Sequence, residues 1–225
     1  MQCMLKITAM IRRIFEELKH DLREMGANTL LVFGGCLVVV LLLHFLTAYI
    51  RKAGMTDSVS FQLVQLIIPF LGGYGSVMLM QSIMDTEGCE ICFSYARSNL
   101  YWGIVRQIRF FIVYIFAVII VCLLLSHDMD VEFVPFLRLL SAQCFALMSV
   151  GFVGICVSRK VSVGIVILIA IVSIQVTLGR EYDIFNRLYL FTDTLVSESD
   201  LVLPVRDSII IGVFCWPLGQ TWVKP

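Results

Sequence analysis

Charge is scarce in this sequence. Charged residues make up 15% of it, against about 25% in an ordinary soluble domain, and its 17 basic and 17 acidic side chains cancel. A zero sum removes the bulk electrostatic basis for nucleic-acid binding and for a polyanion mimic. Histidine is scarcer still, with only His20, His44 and His127. None of them forms an H-E-x-x-H pair, which excludes zinc hydrolysis of that type. No G-x-x-x-x-G-K-[ST] loop is present to cradle nucleotide phosphates, and no G-x-S-x-G nucleophile elbow.

Apolar sequence is what the chain has in excess. It is 59% hydrophobic, with a mean hydropathy of +0.92, where soluble domains hold about 45–50% apolar residues. A bilayer core about 30 Å thick is crossed by about 20 helical residues. Runs of that kind occupy 29–50, 59–84, 104–126, 133–157 and 161–178. A shorter one, 208–223, carries Trp216-Pro217 and reads as a sixth span, with a re-entrant or interfacial segment as the alternative. The expected fold is therefore all-α: a polytopic membrane protein with six transmembrane helices in one domain over 29–225. The first apolar run is too long for the roughly 7–15-residue core of a cleavable signal.

The eight cysteines do not read as a disulfide framework. Cys36, Cys122, Cys144, Cys156 and Cys215 lie within apolar runs, where cysteine acts as a small hydrophobe. Cys89 and Cys92 form a C-x-x-C without the further ligands of a zinc site or the βαβ context of a redox motif. They read as two cysteines one helical turn apart.

Residues 1–28 form an amphipathic helix of the interfacial type. Ile7, Met10, Ile11, Ile14, Phe15, Leu18, Leu22 and Met25 recur at helical spacing, while Lys6, Arg12, Arg13, Glu16, Lys19, Arg23 and Glu24 take the other face. Such a helix lies in the membrane plane with its apolar side toward lipid or protein. With the N-terminus in the cytoplasm, the cytoplasmic side holds Lys6, Arg12, Arg13, Lys19, Arg23, Arg97, Arg106, Arg109, Arg159, Lys160 and Lys224, eleven of the 17 cations. The bias places both termini and the 85–103 loop inside, and the 179–207 segment outside.

Within the spans, three features carry candidate chemistry. Gln62, Gln65, Pro69, Gly72, Gly73 and Ser76 follow helical spacing along the second span. This stripe of amide, hydroxyl and bare backbone lines either a translocation path or a helix–helix interface. His44 stands alone near the outer end of the first span, as an interfacial histidine or a proton site. Arg138 enters the fourth span by about one and a half turns, placed to snorkel outward, to pair with Asp128, Asp130 or Glu132, or to meet an anionic substrate.

The loop after the second span, Asp85-Thr86-Glu87-Gly88-Cys89-Glu90-Ile91-Cys92-Phe93-Ser94-Tyr95-Ala96-Arg97-Ser98-Asn99, resembles the permease subunits of type-2 ABC exporters. In those proteins an acidic, glycine-containing stretch leads into a short helix, a Pro-Ser-Arg-like turn and a basic residue opening the third span. Gly88 and Ser98 match in place. Cys89, Ala96 and Asn99 depart from the usual threonine or serine, proline and arginine. The order of interfacial helix, six spans and longer loops extends the resemblance over nearly all 225 residues.

The resemblance implies a permease coupled to a separate ATPase chain, which would bind ATP and Mg; this chain itself would hold no cofactor and would not be catalytic alone. Glu87, Gly88, Cys89, Glu90, Phe93, Tyr95, Ser98 and Asn99 would form the coupling contact. A second permease, identical or different, would complete the path in a bacterial plasma membrane. The small size is similar to peptide-antibiotic export and immunity permeases. A membrane-embedded enzyme, or a regulatory membrane protein with no path, is the alternative.

Overall fold

The structure is a computed structural model that describes residues 2–52, 58–85, 101–129, 132–178 and 198–223. Every regular element among them is helical. In chain order these are α1 (Gln2–Met25), α2 (Ala27–Lys52), α3 (Ser58–Met84), a π-helical turn (Tyr101–Val105), α4 (Arg106–Met129), α5 (Phe133–Ser158), α6 (Val161–Leu178) and α7 (Glu198–Trp222).

Five of these helices are long and apolar enough to cross a membrane, which fits a membrane-embedded protein. Their apolar windows are Ala27–Phe45, Ser60–Met84, Trp102–Ser126, Phe133–Ser158 and Val202–Trp222, while Val161–Thr177 is shorter. Hydropathy marks 208–223 as the marginal span, but α7 begins ten residues earlier, at Glu198, and contains Pro204 and Pro217. Glu198, Asp200, Arg206 and Asp207 interrupt the hydropathy there without interrupting the helix. Arg206 offsets part of that charge by pairing with Asp207 at 2.9 Å.

The surface reads as that of a protein in lipid. Leu30, Leu37, Leu42 and Phe45 of α2, Phe116 and Ile120 of α4, and Val213 and Phe214 of α7 are all exposed. Helix α5 forms the centre: 72% of its apolar window is buried, against 28% for α2 and for α7. It packs most extensively on α3 and α7. Small residues permit this. A Cβ at Gly151 would sit 2.8 Å from the Gly73 carbonyl oxygen, and one at Gly154 would sit 3.2 Å from the Gly164 Cα. Such backbone approach is the usual basis of helix association in lipid. On the α4–α5–α7 side the seal is aromatic, with Phe145 and Trp216 edge-to-face at 4.7 Å and Phe111 packing on both.

Two turns need left-handed backbone. Gly26, at φ +57°, separates the amphipathic α1 from the apolar α2. Nothing lies within 4 Å of a Cβ built there, so conformation rather than packing calls for glycine. The Thr29 hydroxyl closes the joint by donating to the Leu22 carbonyl at 2.7 Å. The α5–α6 turn is tight. Arg159 takes φ 54° and donates its N–H to the Ile155 carbonyl at 2.8 Å. Asp85, one residue beyond α3, accepts the Val161 N–H at 3.1 Å. It thereby caps α6 with a carboxylate, the charge a helix N-terminus favours.

Candidate functional site

Two polar systems are brought together at the junction of α1, α3 and α4: a latch of ion pairs at one end of the bundle and a seam of hydrogen bonds running inward from it. The latch begins with sequence spacing. Glu17, Asp21 and Glu24 recur at four and three residues along α1, and Arg106 and Arg109 are three apart at the start of α4. Both sets therefore project from one face of their helices.

Asp21 bridges the two arginines. Its carboxylate meets Arg106 Nε at 3.0 Å and Arg109 at 2.7 Å. Arg109 also pairs with Glu17 at 2.5 Å, and Arg106 pairs closely with Glu24. Ser82 of α3 joins by donating to Glu24 at 3.1 Å and accepting from Arg106 at 3.3 Å. Arg106 is 2% exposed, so these pairs form largely out of water, where breaking one partner is costly. Burial pushes the Asp21 carboxyl above its usual range, and the two guanidiniums pull it part of the way back.

His20, Asp21 and Glu24 have ligand atoms within 4.8 Å of one another, the spacing of a metal cluster. Two arginines already meet the Asp21 and Glu24 carboxylates there, and His20 is exposed. The arrangement is an ion-pair network, and a divalent cation would have to displace guanidinium donors to enter it.

The seam lies along α3. Gln143 of α5 donates its amide to Gln65 at 3.0 Å. The Tyr114 hydroxyl of α4 donates to the Ile68 carbonyl at 2.5 Å, one residue before Pro69. The Ser76 hydroxyl lies 2.8 Å from both the Gln107 side-chain oxygen and the Met148 carbonyl, which share its one proton, and the Gln107 amide donates to the Ser76 carbonyl at 3.2 Å. From Gln65 to Ser82 is 17 residues, about 25 Å of helix, so the polar line extends over most of a hydrocarbon core about 30 Å thick.

Of the six stripe residues, Gln65, Pro69, Gly72, Gly73 and Ser76 are buried and Gln62 is half-buried. Glycine packing closes the seam, since a Cβ at Gly72 would meet the Tyr114 ring at 2.8 Å and one at Gly73 the Leu147 carbonyl at 3.0 Å. Within this chain, therefore, the stripe is a packed interface of α3 with α4 and α5.

The remaining candidate residues are dispersed. His44 is exposed on α2 beside Phe45, and Arg138 is exposed on α5 at the end opposite the latch. Cys36, Cys122, Cys144, Cys156 and Cys215 are free thiols. Glu87, Gly88, Cys89, Glu90, Phe93, Tyr95, Ser98 and Asn99 lie outside the described residues. Their flanks are described: Asp85 caps α6, and the π-turn is fastened to α7 by Gln220, which accepts the Ile104 N–H at 2.8 Å. The loop thus leaves and re-enters the bundle at the latch end.

Periodicity alone does not reveal the latch, because Arg106 and Arg109 weigh equally as topology cations. The usable signal is the 17–21–24 acidic stripe on a helix otherwise rich in cations. Comparison of the chain with protein-family models, with curated proteins and with solved structures returned no match.

Proposed function

We propose that the chain is the membrane permease subunit of an ATP-driven exporter, coupled to a separate ATPase and paired with a second permease. The latch is the observation that carries this reading. Arg106 follows the 86–100 segment after one π-helical turn, and it is tied directly to α1 through Asp21 and Glu24. A force applied to that segment by a docked ATPase would reach α1 and α4 together, as coupling requires. The latch end would face the cytoplasm, in keeping with the cation bias.

An embedded enzyme would need paired ionisable groups free to exchange protons within the spans. The buried acidic and basic side chains among those described are Asp21, Arg106, Arg109 and Asp207, each held in an ion pair. That favours a transmitting role over a catalytic one.

The coupling contact would use Phe93 and Tyr95, aromatic anchors of the sort that dominate interfaces. Replacing both with aspartate is expected to abolish co-purification of the ATPase while leaving membrane insertion unchanged. Undiminished co-purification would overturn this assignment.

The seam would serve as the path only when α3 separates from α5, with Pro69 and Gly72-Gly73 as the weak points at which α3 bends. A static interface is the second reading, favoured by the Gly73–Gly151 backbone approach. The Gln65–Gln143 pair discriminates between them. Gln65→Leu alone should cost about 1 kcal/mol by stranding its partner, and Gln65→Leu with Gln143→Leu should recover most of it. If the seam is the path, the double variant assembles normally yet loses substrate-stimulated ATP hydrolysis. Normal hydrolysis by that variant would assign the seam to packing.

A further inference from the structure

At the end of the bundle opposite the latch, the start of α5 and the 202–210 stretch of α7 lie side by side and enclose a groove of about 380 Å³. Pro135, Val202, Val205 and Ile209 line it, together with Arg138 from α5 and Arg206 from α7. Arg138 lies five residues beyond Phe133 and Arg206 four beyond Val202, the first residues of the two apolar windows. That puts the two arginines at matching depths, about 6–8 Å inside the apolar boundary. Val202 and Ile209 are exposed, so the groove opens on the lipid-facing side of the bundle.

The charge there is cationic. Arg206 is 59% exposed; its Nε and one terminal nitrogen both meet a single oxygen of Asp207, at 2.9 Å. The other terminal nitrogen keeps its donors. Arg138 is exposed, and no ion pair links it to a carboxylate whose side chain is described, including that of Glu132 six positions before it. Arg138, Arg206 and its partner Asp207 together carry one net positive charge beside an apolar wall, in a place where long arginine side chains reach toward the headgroup layer.

We propose that this groove binds one acidic phospholipid from the surrounding bilayer, with its phosphate held by Arg138 and Arg206 and an acyl chain along Val202, Val205 and Ile209. A phosphodiester carries the single negative charge that matches the net charge of these three side chains, and guanidinium suits phosphate geometrically. A zwitterionic lipid would fill the apolar wall equally well but would gain little from the arginines. The site stands independently of the exporter reading.

The test is native mass spectrometry of the full chain, titrated with phosphatidylglycerol or phosphatidylcholine of matched acyl chains. Wild type is expected to retain phosphatidylglycerol over phosphatidylcholine by about fivefold, the effect of roughly one uncompensated cation at a membrane surface. Raising ionic strength should shrink that preference in the unaltered protein. Arg138→Gln with Arg206→Gln should abolish the preference without changing phosphatidylcholine retention, whereas Arg138→Lys with Arg206→Lys should preserve most of it. Equal retention of both lipids by wild type overturns the proposal, as does a preference that persists in the glutamine variant. Greater loss of bound phosphatidylglycerol with inorganic phosphate than with chloride at equal ionic strength would overturn it too, by showing that the arginines take a free anion instead of a lipid.

Discussion

Gly151→Leu is expected to remove most of the folded protein from the membrane. A side chain there would begin with a Cβ 2.8 Å from the Gly73 carbonyl oxygen and 3.1 Å from Val77. The obstacle is backbone, which cannot rotate away, so α3 and α5 must separate along the most buried helix of the bundle. Overpacking of this kind costs about 1–3 kcal/mol in forgiving sites and more where backbone is the neighbour, against a total stability of about 5–15 kcal/mol. Gly73→Leu should behave alike, meeting the Leu147 carbonyl at 3.0 Å and Leu168 at 3.1 Å. Gly34→Leu provides the control, since nothing lies within 4 Å of a Cβ there. The measurement is the yield of monodisperse protein after detergent extraction. Equal yields for Gly34→Leu and Gly151→Leu would mean that α3 and α5 do not approach as closely as described.

Loss of the latch should have the second large effect, and a local one. Arg106→Ala strips Asp21 and Glu24 of a shared cation at a site where the arginine is 2% exposed. Breaking a buried pair by removing one partner costs about 3–5 kcal/mol, which here falls on the docking of α1 because Gly26 already separates it from α2. Amide exchange in α1 should therefore accelerate by about two to four orders of magnitude, with exchange in α5 unchanged. Asp21→Ala should release the same helix, since Asp21 serves both arginines. Removing Arg106 and Asp21 together should cost less than the two single losses added, the signature of a coupled pair. Unaltered exchange in α1 would mean that its apolar face alone holds it in place.

The all-helical class and the long apolar helices are legible in the sequence because lipid demands long, uninterrupted apolar helices. Two places are not, and they share one cause: hydropathy counts charges without seeing their partners. At α7 the apolar run stops at 208, because Arg206 and Asp207 look like a polar loop until their mutual pairing is seen. At the latch Arg106 and Arg109 look like topology signals, because their carboxylates lie more than 80 positions earlier in the chain. Spacing reveals the stripe on α3 but not what it faces. Only the positions of Tyr114, Gln143 and Gly151 place it against α4 and α5.

If this chain transmits ATP hydrolysis performed by another subunit, the direct measurement is hydrolysis by the complex isolated through it from its native membrane and reconstituted in lipid. Vanadate-sensitive hydrolysis by a co-purifying P-loop ATPase is expected. It should be lost from the isolate when Phe93 and Tyr95 are both aspartate, and weakened when Arg106 is alanine. A stable, fully inserted protein that isolates with no ATP-hydrolysing partner, or one whose hydrolysis ignores both variants, would contradict that role.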